Sequence, residues 1–177
     1  MSQPDQPDRV AHRMERRYPV PVTPEQAWEA IATAQGISAW MLPTRLDPRV
    51  GGDVTFDVGD FVSTGVVTEY SPHERFAYEE PWPVAERDED VPAGMLAWFD
   101  SIGVTLDEVR TGLESVTPIA TEFLIEAESG GSCVVRVVTS AYGSGADWEN
   151  EFFDQMIESL VPILDQLPAH LGAGVRS

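Results

Sequence analysis

Three histidines, one cysteine and thirty carboxylates are the groups in this 177-residue chain with the most reactive side chains. His12, His73 and His170 are scattered, and no two sit at a metal-ligand spacing, so no metal site is expected. Cys133 has apolar neighbours in a strand-like run, which is the setting of a buried core thiol. Gly143-Ser144-Gly145 lacks the spacing of a nucleophile elbow. All eleven basic residues are arginine, which removes lysine Schiff-base chemistry. Gly51-Gly52 and Gly130-Gly131 read as turns and not as phosphate loops, and no cofactor is expected. Carboxylates remain: Asp57, Glu69, Glu79 and Glu122 fall on predicted strands. A carboxyl facing an apolar cavity would hold its proton more tightly and could serve as acid or base. With thirty acids in the chain, chance placement explains most of them, and no catalytic residue is assigned. Aromatic residues are the better signal. Trp40, Phe56, Tyr78, Phe123, Trp148 and Phe152, together with Met156, are the candidate lining of a ligand cavity.

The elements that would position these residues follow from periodicity. From Ala146 to Leu167, Trp148, Phe152, Met156, Leu160, Ile163, Leu164 and Leu167 recur at steps of three and four, one apolar stripe on a long helix. Pro162 inside it removes a backbone bond and predicts a kink. Arg13 to Val22 alternates as a strand, with Met14, Tyr18, Val20 and Val22 on one side; Pro19 and Pro21 place it at an edge or a strand end. Thr23-Pro24-Glu25-Gln26 is a helix start with a capping-box pattern, and Ile37 to Trp40 predicts a second short helix. Val54 to Val58, Phe61 to Tyr70 and Arg75 to Glu79 are predicted strands; Gly59-Asp60 predicts a turn, and Gly65 a bulge. Ile119 to Ala127 and Cys133 to Thr139 flank a Ser-Gly-Gly-Ser turn and form a hairpin. Stacking Phe123 and Ile125 on Val135 and Val137 in that hairpin requires a bulged or odd-numbered loop and puts Arg136 near Glu122 and Glu126. The alternative register turns Arg136 inward as an anion anchor, at the several kcal/mol that a buried unpaired charge costs. Between Pro81 and Pro118 the pattern is obscure, apart from a short helix over Leu106 to Leu113 that Thr105 could cap.

The net charge of −19 disfavours nucleic acid and anionic membranes as partners. No apolar run is long enough for a transmembrane helix, and one cysteine allows no internal disulfide and suits a reducing cytoplasm. Length and composition fit one domain. Its expected bounds are residues 13–168, with a disordered leader over 1–12, an inserted segment over about 81–118 and a flexible tail over 169–177.

Several segments, in order, resemble a known family. "VPVTPEQAWEAIATAQGISAWMLP", "VGGDVTF", "GVVTEYSPHERFAYE" and "TEFLIEAESGGSCVVRVVTS", followed by the final helix, resemble the START-like superfamily, also called SRPBCC. Within it they resemble the branch named for homologues of the activator of heat-shock-protein-90 ATPase. The resemblance implies an α+β helix-grip fold, as in the birch-pollen allergen. Six or seven antiparallel strands would curve around the long C-terminal helix, with two short helices after the first strand. Two departures stand out. The 81–118 segment is longer than the usual connection, and Phe152-Phe153-Asp154-Gln155-Met156 stands where the family often has a Gly-Trp pair.

The leading functional expectation is a binding protein for a small hydrophobic or amphipathic molecule, held between sheet and helix, with Arg136 and Glu122 as candidate polar anchors. The resemblance implies two alternatives, a chaperone-partner module and a polyketide cyclase or aromatase-like enzyme. The absence of a catalytic constellation favours binding over catalysis. A monomer or a homodimer is expected.

Overall fold

The computed structural model describes residues 10–59, 62–85 and 87–176, with side chains described as far as residue 172. Seven strands form one antiparallel sheet in the order β1-β7-β6-β5-β4-β3-β2. They are β1 (Val10–Val20), β2 (Thr44–Leu46), β3 (Asp53–Asp57), β4 (Val62–Ser71), β5 (Arg75–Glu80), β6 (Ile119–Glu128) and β7 (Ser132–Gly143). The sheet curves around a long helix, α5 (Asp147–Leu164), in the helix-grip arrangement. Two short helices, α1 (Pro24–Ile31) and α2 (Ala34–Trp40), follow β1; α3 (Ala93–Ser101) and α4 (Leu106–Leu113) lie between β5 and β6; α6 (Gln166–Arg176) follows α5.

Local chemistry sets the helix starts. Thr23 caps α1 in a reciprocal box with Gln26, with Pro24 in the first turn, and Thr105 and Glu108 do the same for α4. The corner between α1 and α2 needs Gly36, because a Cβ there would sit 1.7 Å from the carbonyl oxygen of Glu29. Gly65 has a related role. It is not the bulge, which falls between Val67 and Glu69; a Cβ at Gly65 would meet the Glu79 carbonyl oxygen at 2.3 Å.

The β6–β7 hairpin closes through the three residues Ser129 to Gly131, an odd-numbered loop, with Gly130 and Gly131 at positive φ. Phe123 then faces Val137 and Ile125 faces Val135, as the apolar pattern requires. Arg136 therefore points outward. Its guanidinium lies 3.0 Å from Glu15 and 3.3 Å from Glu126, while Glu122 pairs with Arg75 on the same outer face. Neither Arg136 nor Glu122 is an anchor in the interior.

Both ends of the chain differ from expectation. Strand β1 starts at Val10, so the leader expected over residues 1–12 gives way to strand there; residues 1–9 lie outside the described residues, as do Asp60 of the expected turn and Phe61 of the expected strand. Buried His12 tethers the early part of β1. Residues 169–176, expected as a flexible tail, continue helix α6, which buries Leu167 and Leu171 in the main core. The long helix breaks at Asp165, the cap of α5, three residues after Pro162. Pro168 explains the break as well as Pro162 does. It has no N–H for the Leu164 carbonyl, yet it fits the first turn of a new helix, whose N–H groups need no intrahelical acceptor.

The apolar residues form two clusters. The larger joins β1, α1, α2 and the sheet to the end of α5 and to α6. The smaller packs Phe99 of α3 and Val109 of α4 against Trp82, Ile119, Trp148, Phe152 and Phe153. The segment whose sequence pattern is obscure is thus a two-helix cover seated on the first turns of α5.

Candidate functional site

A cavity of about 440 Å³ lies where the two clusters fail to meet. Five strands supply its floor: Phe56 of β3, Ser63 of β4, Tyr78 and Glu80 of β5, Ile119 and Thr121 of β6, and Thr139 of β7. Met41 and Leu42 close one side after α2, and Gly94, Met95 and Trp98 of α3 close another. Phe152, Gln155, Met156, Ser159, Leu160 and Ile163 of α5 form the roof. The stripe on α5 thus has three tasks. Trp148 belongs to the smaller cluster, Leu164 to the larger one, and the stretch between them faces the cavity, which leaves Met156, Leu160 and Ile163 half-buried.

Of the seven side chains expected to line a cavity, four do so: Phe56, Tyr78, Phe152 and Met156. Phe56 and Tyr78 have ring centroids 5.3 Å apart, and Phe152 lies 5.7 Å from Trp98. The other three are packing residues. Trp40 turns its indole back onto α1, donating to the Ala30 carbonyl at 2.8 Å, and is sealed by α6. Phe123 stacks with Phe76 beneath α1, which fills the space above β6 there. Trp148 packs against Trp82 and lies over Gly112, where a Cβ would meet its ring at 2.3 Å.

The polar part of the cavity is not among the residues expected from sequence. Among the described lining residues Glu80 is the one carboxyl, half-buried and accepting a hydrogen bond from Ser63 at 2.5 Å. Burial raises its pKa above the ordinary carboxylate value, and the Ser63 bond only partly opposes this. Tyr78 is fully buried two residues away on the same face, and its phenol is pushed well above the usual value by burial and by the charge of Glu80, against the opposing pull of Thr121. Thr121 and Thr139 hydroxyls meet at 3.2 Å. The alternation of β5 contained the signal: Phe76 and Tyr78 point inward, so a strand one residue longer than predicted brings in Glu80. The four carboxylates that sequence places on strands lie elsewhere. Asp57 and Glu79 are exposed, Glu69 accepts from Ser71, and Glu122 pairs with Arg75.

A fully buried carboxylate stands outside the cavity. Glu149, fully buried in the first turn of α5, accepts from the Ser144 hydroxyl (2.6 Å) and the backbone N–H groups of Ser144 and Gly145 (both 3.0 Å), and pairs with His12 Nε2 at 3.1 Å. Burial alone would raise its pKa; these bonds together hold it below the ordinary value. His12, placed by sequence in the leader, is therefore a core residue that ties the edge strand to α5.

Among the described residues, no group of three or more histidine, cysteine or acidic side chains is placed to hold a metal ion. No described helix is long and apolar enough to cross a membrane.

Known proteins place this geometry. A family model described as "Activator of Hsp90 ATPase homolog 1-like protein" matches residues 21–172. The structure is similar to the Aha1 dimer from Colwellia psychrerythraea, at 15% identity over 92% of this chain and 98% of that one, with a TM-score of 0.58. It is also similar to a protein of unknown function from Staphylococcus aureus (10% identity, 97% of this chain and 100% of that one, TM-score 0.61). A third similar structure is a protein from Nitrosospira multiformis (13% identity, 94% and 100% covered, TM-score 0.57). No curated protein matches the sequence. At these identities the structural likeness is one of fold.

Proposed function

Since the chain belongs to the activator of Hsp90 ATPase homolog 1-like family, we propose that it binds a small hydrophobic or amphipathic molecule in the cavity beneath α5. One observation carries this reading. An apolar space of about 440 Å³, with a short polar strip on one wall, lies between sheet, α3 and α5. Its size falls within the range of small-molecule sites, and its lining matches their usual mix of apolar walls and few polar groups. A core of this kind would ordinarily close, because empty space forfeits dispersion contacts. The buried free thiol of Cys133 suits a cytoplasmic setting. The Colwellia relative is a dimer, and both a monomer and a homodimer are compatible with a site contained within one chain.

The test is native mass spectrometry of freshly purified protein, followed by titration with the neutral fluorescent probe N-phenyl-1-naphthylamine. A stoichiometric small-molecule adduct, or saturable probe binding that Met156→Trp abolishes, supports the reading. A clean apo mass together with no saturable binding overturns it.

Glu80 favours a second reading, an enzyme that moves a proton on the bound molecule. A carboxyl inside an apolar cavity, hydrogen-bonded to Ser63, is the arrangement such chemistry needs. Loss of turnover in Glu80→Gln with unchanged affinity would favour it. The chaperone-partner alternative calls for an exposed apolar patch; in the Met95 to Ile102 stretch Trp98 lines the cavity and Phe99 is buried, which leaves Leu96 as its exposed large apolar side chain.

A further inference from the structure

The cavity has one pole. Among its described lining residues Glu80 is the one carboxyl, and there is no arginine or histidine. Among the described residues Glu80 has no salt-bridge partner; Ser63 alone donates to it. The aromatic side chains of Phe56, Tyr78, Trp98 and Phe152 share the lining. A carboxylate without a counter-ion beside aromatic rings is a setting that a cation improves twice, through a charge-assisted hydrogen bond and through the ring quadrupoles. An anionic headgroup would be repelled by Glu80 and would find no basic side chain in the lining. The net charge of −19 acts in the same direction, concentrating cations near the protein.

We infer that the cavity takes an organic cation, an apolar body carrying a protonated amine that meets Glu80, and discriminates against the carboxylate of the same body. This rests on the ligand-binding reading above and adds the polarity of the ligand to it. Ser63 acts here as a positioning residue, holding one carboxyl oxygen so that the other is presented to the cavity.

The experiment uses three probes that share one apolar body: 2-(1-naphthyl)ethylamine, 2-(1-naphthyl)ethanol and 1-naphthylacetate. Their affinities are measured by calorimetry at pH 7 on the full chain and on Glu80→Gln. The amine is expected to bind about tenfold tighter than the alcohol, the scale of one charge-assisted hydrogen bond. The carboxylate is expected to bind about tenfold weaker than the alcohol, because its charge opposes that of Glu80. Glu80→Gln should bring the three within about threefold of one another, with its circular dichroism spectrum and thermal midpoint reporting that the variant is folded. Ser63→Ala should lower the amine preference without removing it. Alcohol binding with no amine preference, or an amine preference that survives Glu80→Gln, overturns the inference and leaves the cavity reading intact. Failure of all three probes to bind overturns the inference, and joined to a clean apo mass and no N-phenyl-1-naphthylamine binding it overturns the cavity reading as well.

Discussion

At the residue scale, half-buried Glu80 and fully buried Glu149 carry opposite consequences for stability. Glu149 has a lowered pKa, so its contribution is present above the ordinary carboxylate value of 4.5 and is lost as pH falls through its folded value. Removing it strands two backbone donors and the Ser144 hydroxyl. Glu149→Ala is expected to cost about 3 kcal/mol at pH 7, the scale of a broken buried charge network. In urea denaturation, the gap to the parent protein should narrow as the pH is lowered below 4.5. Glu80 has a raised pKa, so whatever it contributes is present below 4.5 and is lost as pH rises through its folded value. Glu80→Gln should therefore match the parent protein in acid and equal or exceed it at pH 7. A stability loss in Glu80→Gln at neutral pH would show that this carboxyl is structural rather than a group set aside for a ligand.

At the element scale, close approach matters more than propensity. Thr105→Ala removes a capping box from α4 and should cost about 1 kcal/mol. Gly36→Ala and Gly112→Ala each add one methyl group, with different outcomes. At Gly36 the obstacle is the backbone of α1, which cannot step aside, so the α1–α2 corner must open. At Gly112 the obstacle is the Trp148 ring, which can tilt. Gly36→Ala should therefore cost more than about 3 kcal/mol, and Gly112→Ala about 1–3 kcal/mol, in the range of overpacked cores. Denaturant midpoints decide the order; the reverse order would mean that the corner is pliable. The Gly112 variant should also alter Trp148 fluorescence.

Across the whole molecule, the cavity is the seam between two clusters that α5 spans. One side of the seam is a continuous ladder of seven strands; the other is the α3–α4 cover, which contributes no strand to the sheet. The cover segment is bonded mainly to itself: Trp82 donates to the Thr117 carbonyl at 2.9 Å, and Arg110 donates to the Ala85 carbonyl at 2.8 Å. At its end Thr117 exchanges two hydrogen bonds with the backbone of Tyr142 in β7, both at 2.8 Å. Helix α3 has no side-chain cap. Elements held by few bonds open at lower free energy than the strands they cover. In hydrogen exchange, α3 amides should exchange faster than those of β6 and β7. Binding of an apolar probe should slow α3 selectively, because Met95 and Trp98 touch the cavity. Equal slowing across β6 and β7 would mean that the probe stabilises the fold as a whole and that the cover is no separate part.

The sequence alone determined six of the seven strands, helices α1, α2, α4 and α5 and the apolar stripe of α5; it did not show β2, α3 or α6, and it left β1 at an edge or a strand end and the β6–β7 loop bulged or odd-numbered. Each follows from local chemistry: a period of two or of 3.6, a capping residue, a proline without a donor. It left two registers for the β6–β7 hairpin, with Arg136 outside or turned inward; the structure has it outside, where ion pairs with Glu15 and Glu126 avoid the larger cost of burying a charge. Tertiary structure decided what those faces meet. Trp40, Phe123 and Trp148 are as apolar as Phe56 and Phe152, and nothing in their spacing separates a side chain that fills a core from one that borders a void. That difference depends on whether α1, α6 or α4 lies opposite, a matter of three-dimensional placement. The same holds for charge. Glu80 and Glu149 are two carboxylates among thirty, singled out only because β5 runs one residue further toward α5 and because the first turn of α5 folds back on the loop before it. Burial and hydrogen-bond partners, not residue type, give these two acids their properties.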